Sequence, residues 1–302
     1  MEHLVSAVIT THNRKDFLEK ALQSALSQTY ANMEIIVVDD RSTDGTKEYM
    51  EALVQSRADR HGIPVQYIYN ANGGGGNHAR NTGICAAKGE YIAFLDDDDE
   101  WLPEKTKKQA DYLDQHAEVG IVGCGKIDEF DLKERSKERI INTADGDMSQ
   151  RIFKILNFTT SCLMIRKSLL IKVGMFDESI QYWQDYELLI RLCQNTKFVQ
   201  IGEHLTLFRI RMQDKNRLSN NLAGWEKSVK YLEEKHQKLI EALPPKMRLA
   251  HYKTIIRDGI NRCNKNNDKK RKRWYLKQRF LLEPSINNAI RFILNRERLR
   301  QK

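Results

Sequence analysis

Residues 95–101 read LDDDDEW, four consecutive carboxylates directly behind the apolar run YIAF. Like charges this close repel one another and resist burial, so a chain keeps them at the end of a core strand only where a cation answers them. One or two acids would be accounted for by capping the helix that begins near Pro103, because negative charge is favoured at a helix N-terminus. Four exceed that need. Asp96 and Asp98, one residue apart, would face the same side of an extended chain and offer hard oxygen ligands of the kind that Mg²⁺ or Mn²⁺ takes. Such an ion binds one or two carboxylates together with substrate phosphates, so the run also implies a phosphorylated substrate.

The elements that must position this run follow from the apolar spacing. Over the first 125 residues, short β-branched runs at 4–10, 34–39, 65–69, 91–95 and 119–123 alternate with helical patterns near 16–28, 45–58, 77–88 and 103–116, which predicts βαβ units over a mostly parallel, Rossmann-like sheet. Ligands of such sheets bind outside the carboxyl ends of the strands. TTHN after the first strand, DDRSTDG after the second and DDDD after the fourth all fall there, on one rim. Residues 126–150 turn polar and read as a hairpin or mobile loop. Apolar patterning returns over 158–176, and YWQDYELLIRLCQ predicts a helix with Leu188, Leu189 and Leu192 inward. Residues 225–302 read as helical and increasingly basic. The expected organisation is a catalytic domain over 1–222, with a nucleotide-binding half to about 125 and an acceptor half beyond it, followed by a basic helical extension over 223–302.

Composition narrows the class. The chain has 302 residues, 40% of them hydrophobic, enough for a sizeable core. No stretch approaches the ~18 apolar residues of a membrane span, and MEHLVSAVIT has no basic region before an apolar segment, so a cytoplasmic protein is expected. Cys85, Cys124, Cys162, Cys193 and Cys263 form no CxxC pair and are expected to be buried thiols. Residues 263–302 hold thirteen Lys or Arg against Asp268, Glu283 and Glu297, a net +10, which leaves −1 for residues 1–262. A partner argued from charge must therefore meet the C-terminal segment. KKRKRW would permit nucleic-acid binding, but the balanced body and the lack of an RNA-binding or helix-turn-helix motif set that reading behind an enzymatic one.

Three blocks in order, VSAVITTHNRKDFLEKALQSALSQTYANMEIIVVDDRSTDGT, NHARNTGICAAKGEYIAFLDDDDEW and GMFDESIQYWQDYELLIRL, resemble the family 2 glycosyltransferases with a GT-A fold over roughly residues 4–210. The resemblance implies an inverting enzyme that uses a nucleotide-sugar donor and a divalent metal. It implies transfer of a hexose or N-acetylhexosamine from a UDP-sugar to a hydroxyl of a glycan or lipid-linked glycan, in bacterial surface polysaccharide assembly. On matching positions, Thr11 and His12 resemble the loop along the nucleoside, and Asp39 the carboxylate that accepts the imide N–H of uracil; turn chemistry leading into STDG is the other reading of Asp39 and Asp40. Arg80 resembles a residue near the nucleotide and the metal loop, with a surface ion pair as its alternative. Asp96 and Asp98 align with the DxD element, Asp98 as the first metal ligand and Asp96 beside the ribose or a metal-bound water. Asp97 is placed with them at the donor, and Asp97 and Asp99 otherwise as capping or supporting groups.

Asp185 stands where the family has its catalytic acidic pair, with Gln184 in place of the usual Glu, and is assigned as general base; capping its own helix is the alternative. Trp183 is either a platform for a sugar ring or a core residue. NGGGGNHARN lacks the spaced glycines of a dinucleotide fingerprint and reads as a loop that lets backbone approach the donor. Where relatives often carry a His this chain has Arg211, so Arg209 or Arg211 is expected to help neutralise diphosphate. A sugar-1-phosphate nucleotidyltransferase shares these demands but would open with a Gly-rich phosphate loop, and TTHNRKDF has no glycine. In the tail, Trp274, Tyr275 and Phe280 lie among basic residues, while Ile286, Ile290, Ile293 and Leu294 can share a helical face with Arg291, Arg296 and Arg298 nearby. That pattern suits an anionic membrane surface, or packing onto the catalytic domain or a second copy in a homodimer.

Overall fold

A computed structural model describes residues 2–55, 62–130, 136–139, 144–155, 158–210, 221–285, 287–289 and 292. The first compact unit comprises Met1–Ser149, Asn157–Glu178 and Gln184–Met212. Its β-branched runs form β1 (Val5–Thr11), β2 (Met33–Asp39), β3 (Val65–Tyr69) and β4 (Tyr91–Asp96). β1 pairs in parallel with β2 and β4, and β2 with β3. α1 (Lys15–Leu26), α2 (Thr46–Gln55) and α3 (Gly75–Ala86) are the crossovers, and α1 buries Leu18, Ala21, Leu22, Ala25 and Leu26 at helical spacing.

Past Asp96 the chain turns and enters β5 (Asp99–Trp101), α4 (Lys105–Gln115) and β6 (Val119–Phe130). β7 (Ser136–Arg139) pairs antiparallel with β6, and β8 (Met164–Arg166), α5 (Lys167–Val173), α6 (Gln184–Cys193) and β9 (Lys197–Ile210) follow. Among the described residues the sheet has nine strands in the order β3-β2-β1-β4-β8-β6-β9-β5, with β7 beside β6. Register aligns Thr11 with Asp39, Asp39 with Tyr69 and Thr10 with Asp96, which fixes the polar strand ends on one rim.

Three expectations change. The strand expected to stop at 123 runs to Phe130, because β9 and β7 pair with its polar half and Lys126 is held over the Phe208 ring at 3.6 Å. The chain is not extended through 96–98, so the shared facing of Asp96 and Asp98 cannot come from strand alternation. Cys85 is exposed, while the other four thiols are buried.

The second unit comprises Gln150–Leu156, Ser179–Trp183 and Gln213–Lys302. It is built from α7 (Leu222–Lys235), α8 (Gln237–Ala242), α9 (Pro245–Lys265) and α10 (Lys269–Leu282). Its core gathers Tyr182, Trp225, Val229, Ile255, Ile256, Cys263 and Tyr275. α10 comes close to α9 because Gly259 has no side chain: a Cβ there would stand 2.6 Å from the Tyr275 ring. Among the described residues, no helix is long and apolar enough to cross a membrane.

Candidate active site

The rim of the first unit holds the aspartate run in two alternating environments. Asp97 is buried at the turn, where its carboxylate accepts the Thr11 hydroxyl at 2.8 Å and an Arg14 N–H at 3.1 Å. Burial pushes Asp97 up to about 6, against the pull of Arg14 and with a further push from Asp98. Asp99 is also buried, and its Oδ2 accepts the Ser161 hydroxyl at 2.6 Å. Burial, then the charges of Asp98 and Asp96, hold its pKa well above the carboxylate range. Ser161 also accepts the Asp96 N–H at 3.1 Å, so one buried hydroxyl pins both ends of the turn. Neither Asp97 nor Asp99 caps α4, whose preceding residue is Glu104.

Asp96 and Asp98 are the open pair, with side chains 28% and 26% exposed. Both are answered by guanidinium groups: Arg80 reaches Asp96 at 2.6 Å, and Arg14 reaches Asp98 at 3.2 Å. Arg80 donates its other terminal nitrogen to Gln184 Oε1 at 3.0 Å, and its buried Nε has no partner among the described residues. It therefore joins the end of β4 to the start of α6. The neutral Gln184 leaves Asp96 as the one carboxylate among these hydrogen-bond partners of Arg80.

Asp185 stands in the first turn of α6, half-buried, with its Oδ1 accepting the Tyr186 N–H at 2.8 Å. Burial raises its pKa. The Tyr186 N–H and the Arg80 charge oppose that rise, and the Asp96 charge adds to it. A carboxylate so placed holds a proton more readily than an exposed aspartate, the direction that strengthens a general base.

His12 is exposed, donates from Nδ1 to the Asp40 carbonyl at 2.6 Å and accepts from the Asn13 amide at its Nε2. Asp39 has no exposed surface; its oxygens accept the Ser42 N–H and the Tyr67 hydroxyl, both at 2.8 Å. Each of those oxygens keeps a second lone pair with which it can accept a further donor. The next residue is more open: Asp40 Oδ2 accepts the Gly75 N–H at 2.8 Å, while its Oδ1 has no partner among the described residues. Gly75, with φ of +83°, takes the left-handed conformation that opens α3.

Arg209 is bound within the sheet to Glu100 and to Glu129, the latter at 3.3 Å, so its charge is already matched, and Arg211 lies outside the described residues. Trp183 belongs to the second unit, where its ring meets Trp225 edge-on at 5.3 Å. The structure thus brings Thr11, Arg80, Asp96, Asp97 and Asp98 to one rim in two bonded groups, Thr11–Asp97–Arg14–Asp98 and Gln184–Arg80–Asp96–Ser161, and adds Arg14, Ser161 and Gln184, which sequence reasoning did not assign to them. Arg14 had a readable signal, a cation just past the end of β1 on the ligand-bearing rim.

Oxygen-only donors at Asp96 and Asp98 suit Mg²⁺ or Mn²⁺, and Arg14 and Arg80 are two cations against the three aspartates they pair with. Among the described residues no group of three or more His, Cys, Asp or Glu could hold a metal, so water and substrate oxygens would have to complete its coordination.

Residues 6–174 match glycosyl transferase family 2. An uncharacterised glycosyltransferase of Rickettsia typhi is 32% identical over 258 residues, spanning 79% of this chain and 75% of its own. The Escherichia coli UDP-Glc:alpha-D-GlcNAc-diphosphoundecaprenol beta-1,3-glucosyltransferase WfaP is 41% identical over 111 residues, which are 37% of this chain and 41% of that protein. Among solved structures, Staphylococcus aureus TarS 1–349 in complex with UDP-GlcNAc superposes with a TM-score of 0.67 at 16% identity, covering 96% of this chain and 79% of that one. The mannosyltransferase PcManGT of Pyrobaculum calidifontis, in complex with GDP-Man and Mn²⁺, gives 0.66 at 16% identity, covering 98% and 80%. The fold is GT-A. The chain belongs to glycosyl transferase family 2 and is a glycosyltransferase.

Proposed function

We propose that the first unit transfers a hexose or N-acetylhexosamine from a UDP-sugar to a hydroxyl of a glycan, with inversion at the anomeric carbon. The observation that carries this reading is the pair of groups Asp98–Arg14–Asp97 and Asp96–Arg80–Gln184, which sets three carboxylates against two arginines at the strand ends and adjoins Asp185 through Gln184. Asp185 takes the proton of the acceptor hydroxyl. The acceptor oxygen bonds to the anomeric carbon on one face as the bond to the diphosphate oxygen breaks on the other, and UDP leaves. Asp98 and Asp96 would hold the divalent cation, which when bound neutralises charge on the leaving diphosphate. Arg80 orients Asp96 and brings a charge-assisted donor to the same region. The names of two similar proteins support the donor and acceptor classes: TarS was solved with UDP-GlcNAc, and WfaP uses UDP-Glc and a diphosphoundecaprenol-linked acceptor. A lipid-linked glycan is accordingly the acceptor we favour.

The test is a thermal-shift and hydrolysis screen of nucleotide sugars with and without Mn²⁺. UDP with Mn²⁺ should raise the Tm, by the equivalent of about 2.7 kcal/mol at a hundredfold excess over Kd. Asp98→Asn should abolish the metal-dependent part of that shift while keeping the Tm of the protein alone. No response to any uridine nucleotide would overturn the donor assignment, and a metal response intact in Asp98→Asn would take Asp98 off the ligand set.

A further inference from the structure

The tail expectation divides once the helices are seen. Tyr275 and Leu276 turn inward: Tyr275 joins the core of the second unit and donates its hydroxyl to Glu226 at 2.7 Å. Ile286, Ile290, Ile293, Leu294, Arg291, Arg296 and Arg298 lie outside the described residues. What remains is the outer face of α10. Lys270, Trp274, Lys277 and Leu281 follow one another at steps of four, three and four, so they form a single stripe along the helix. Trp274 is 51% and Leu281 59% exposed, large apolar groups that water disfavours. Beside them lies a groove of about 450 Å³, lined by Tyr252, Ile255, Ile256 and Leu282 with Glu233 among its walls.

The charge on this helix is one-sided. Residues 269–282 carry seven Lys or Arg and no acid. Arg271 is paired with Glu226, and Arg273 lies over the Phe292 ring at 5.4 Å, but Lys270, Lys272, Lys277 and Arg279 form no ion pair with any described residue. Exposed Trp and Leu flanked by lysines of one helical stripe combine the two attractions of an anionic lipid surface, apolar insertion at the headgroup boundary and charge attraction to phosphates. A protein partner chosen by acidity alone would answer the lysines but not the exposed indole and leucine of the same stripe.

We propose that the Lys270–Trp274–Lys277–Leu281 stripe and the groove beside it dock this protein on an anionic phospholipid surface. The inference is independent of the donor reading, since it uses no residue of the strand rim. The full-length protein is to be floated with vesicles of phosphatidylcholine alone or with one third phosphatidylglycerol, at low and high salt, while tryptophan emission is followed. Expected are co-flotation with the anionic vesicles only, and a blue shift that Trp274→Phe removes without loss of binding. Lys270→Ala with Lys277→Ala should weaken partition at low salt by about thirtyfold, roughly fivefold per lysine. Trp274→Ser with Leu281→Ser should weaken it at least tenfold while the protein still melts cooperatively, with a Tm lowered by a few degrees because Trp274 keeps a ring contact with Tyr275 at 4.9 Å. Absence of flotation by the parent protein, or equal flotation of the Ser double variant, overturns the proposal. So does a change from dimer to monomer in that variant by light scattering with no vesicle effect, which would assign the face to a second copy of the chain. The UDP thermal shift, measured on the same variants, should stay at the parental value.

Discussion

At the end of β4 four aspartates are drawn into hydrogen bonds and ion pairs, whereas on α10 a run of seven Lys and Arg is left largely to solvent. Both are runs of like charge. The difference lies in what surrounds them. A carboxylate at the rim of a packed sheet has lost part of its hydration and must find donors within the protein, so Thr11, Arg14, Arg80 and Ser161 arrive from elements distant in sequence. A lysine on an exposed helix keeps its water and needs no partner. Excess acid at a strand end therefore points to chemistry, while excess base on a helix points to a partner only when exposed apolar groups accompany it.

If the rim is a catalytic arrangement rather than a stabilising one, its largest effect should appear in rate and not in fold. Asp185→Asn should lower transfer by roughly two to four orders of magnitude, with donor affinity little changed. The sign of the pH dependence follows from burial, which raises the pKa of this carboxylate. The base is needed unprotonated, so transfer should fall as pH drops through a midpoint above the ordinary aspartate range, and the residual rate of Asp185→Asn should lack that limb. Loss of donor binding with an unaltered rate per bound donor would make Asp185 a binding residue.

A smaller effect separates charge from geometry within the same rim. Arg80 serves Asp96 and Gln184 with two nitrogens of one planar group, a span that a lysine's single ammonium cannot reproduce. Arg80→Lys keeps the charge and should still lower transfer about tenfold, with the Mn²⁺ response retained. A variant indistinguishable from the parent would reduce Arg80 to a simple counter-charge for Asp96.

Much of this was legible in the sequence, for a reason that also sets the limit. Apolar periodicity marks which strands are buried, and the rule that ligands meet parallel strands at their carboxyl ends places TTHN, DDRSTDG and DDDD on one rim from the sequence alone. Periodicity says nothing about polar pairing. The division of the aspartates into two open and two buried depends on a turn at 97–98 and on Arg14 and Ser161, which lie 83 and 62 residues from the carboxylates they meet. Arg209 looked available because Glu100 and Glu129 become its neighbours only when β9 lies between β6 and β5. In the tail, the run KKRKRWYL shows its charge plainly, but which aromatic faces inward is decided by the room at Gly259, and Tyr275 rather than Trp274 takes it.

The comparison between the two runs ends in a matched pair of substitutions whose effects on stability should differ most clearly. Ser161→Ala removes the hydroxyl that donates to buried Asp99 and accepts from the Asp96 N–H, leaving two groups short of a partner with little water to replace it. A buried group stranded in this way costs about 1–3 kcal/mol. Asp99 offsets part of that loss, because its raised pKa favours the neutral form, which is less costly to leave unpaired. The net expectation is ~1–2 kcal/mol and a Tm lower by a few degrees. Lys277→Ala on α10 removes an exposed charge with no ion pair to any described residue and replaces it with a better helix former, so its Tm should stay within the ~0.5 kcal/mol that surface changes usually produce, even as its vesicle binding falls. Melting curves of the two variants, side by side and without nucleotide, decide the matter: a Ser161→Ala protein as stable as Lys277→Ala would mean that the aspartate turn is held by its arginines alone.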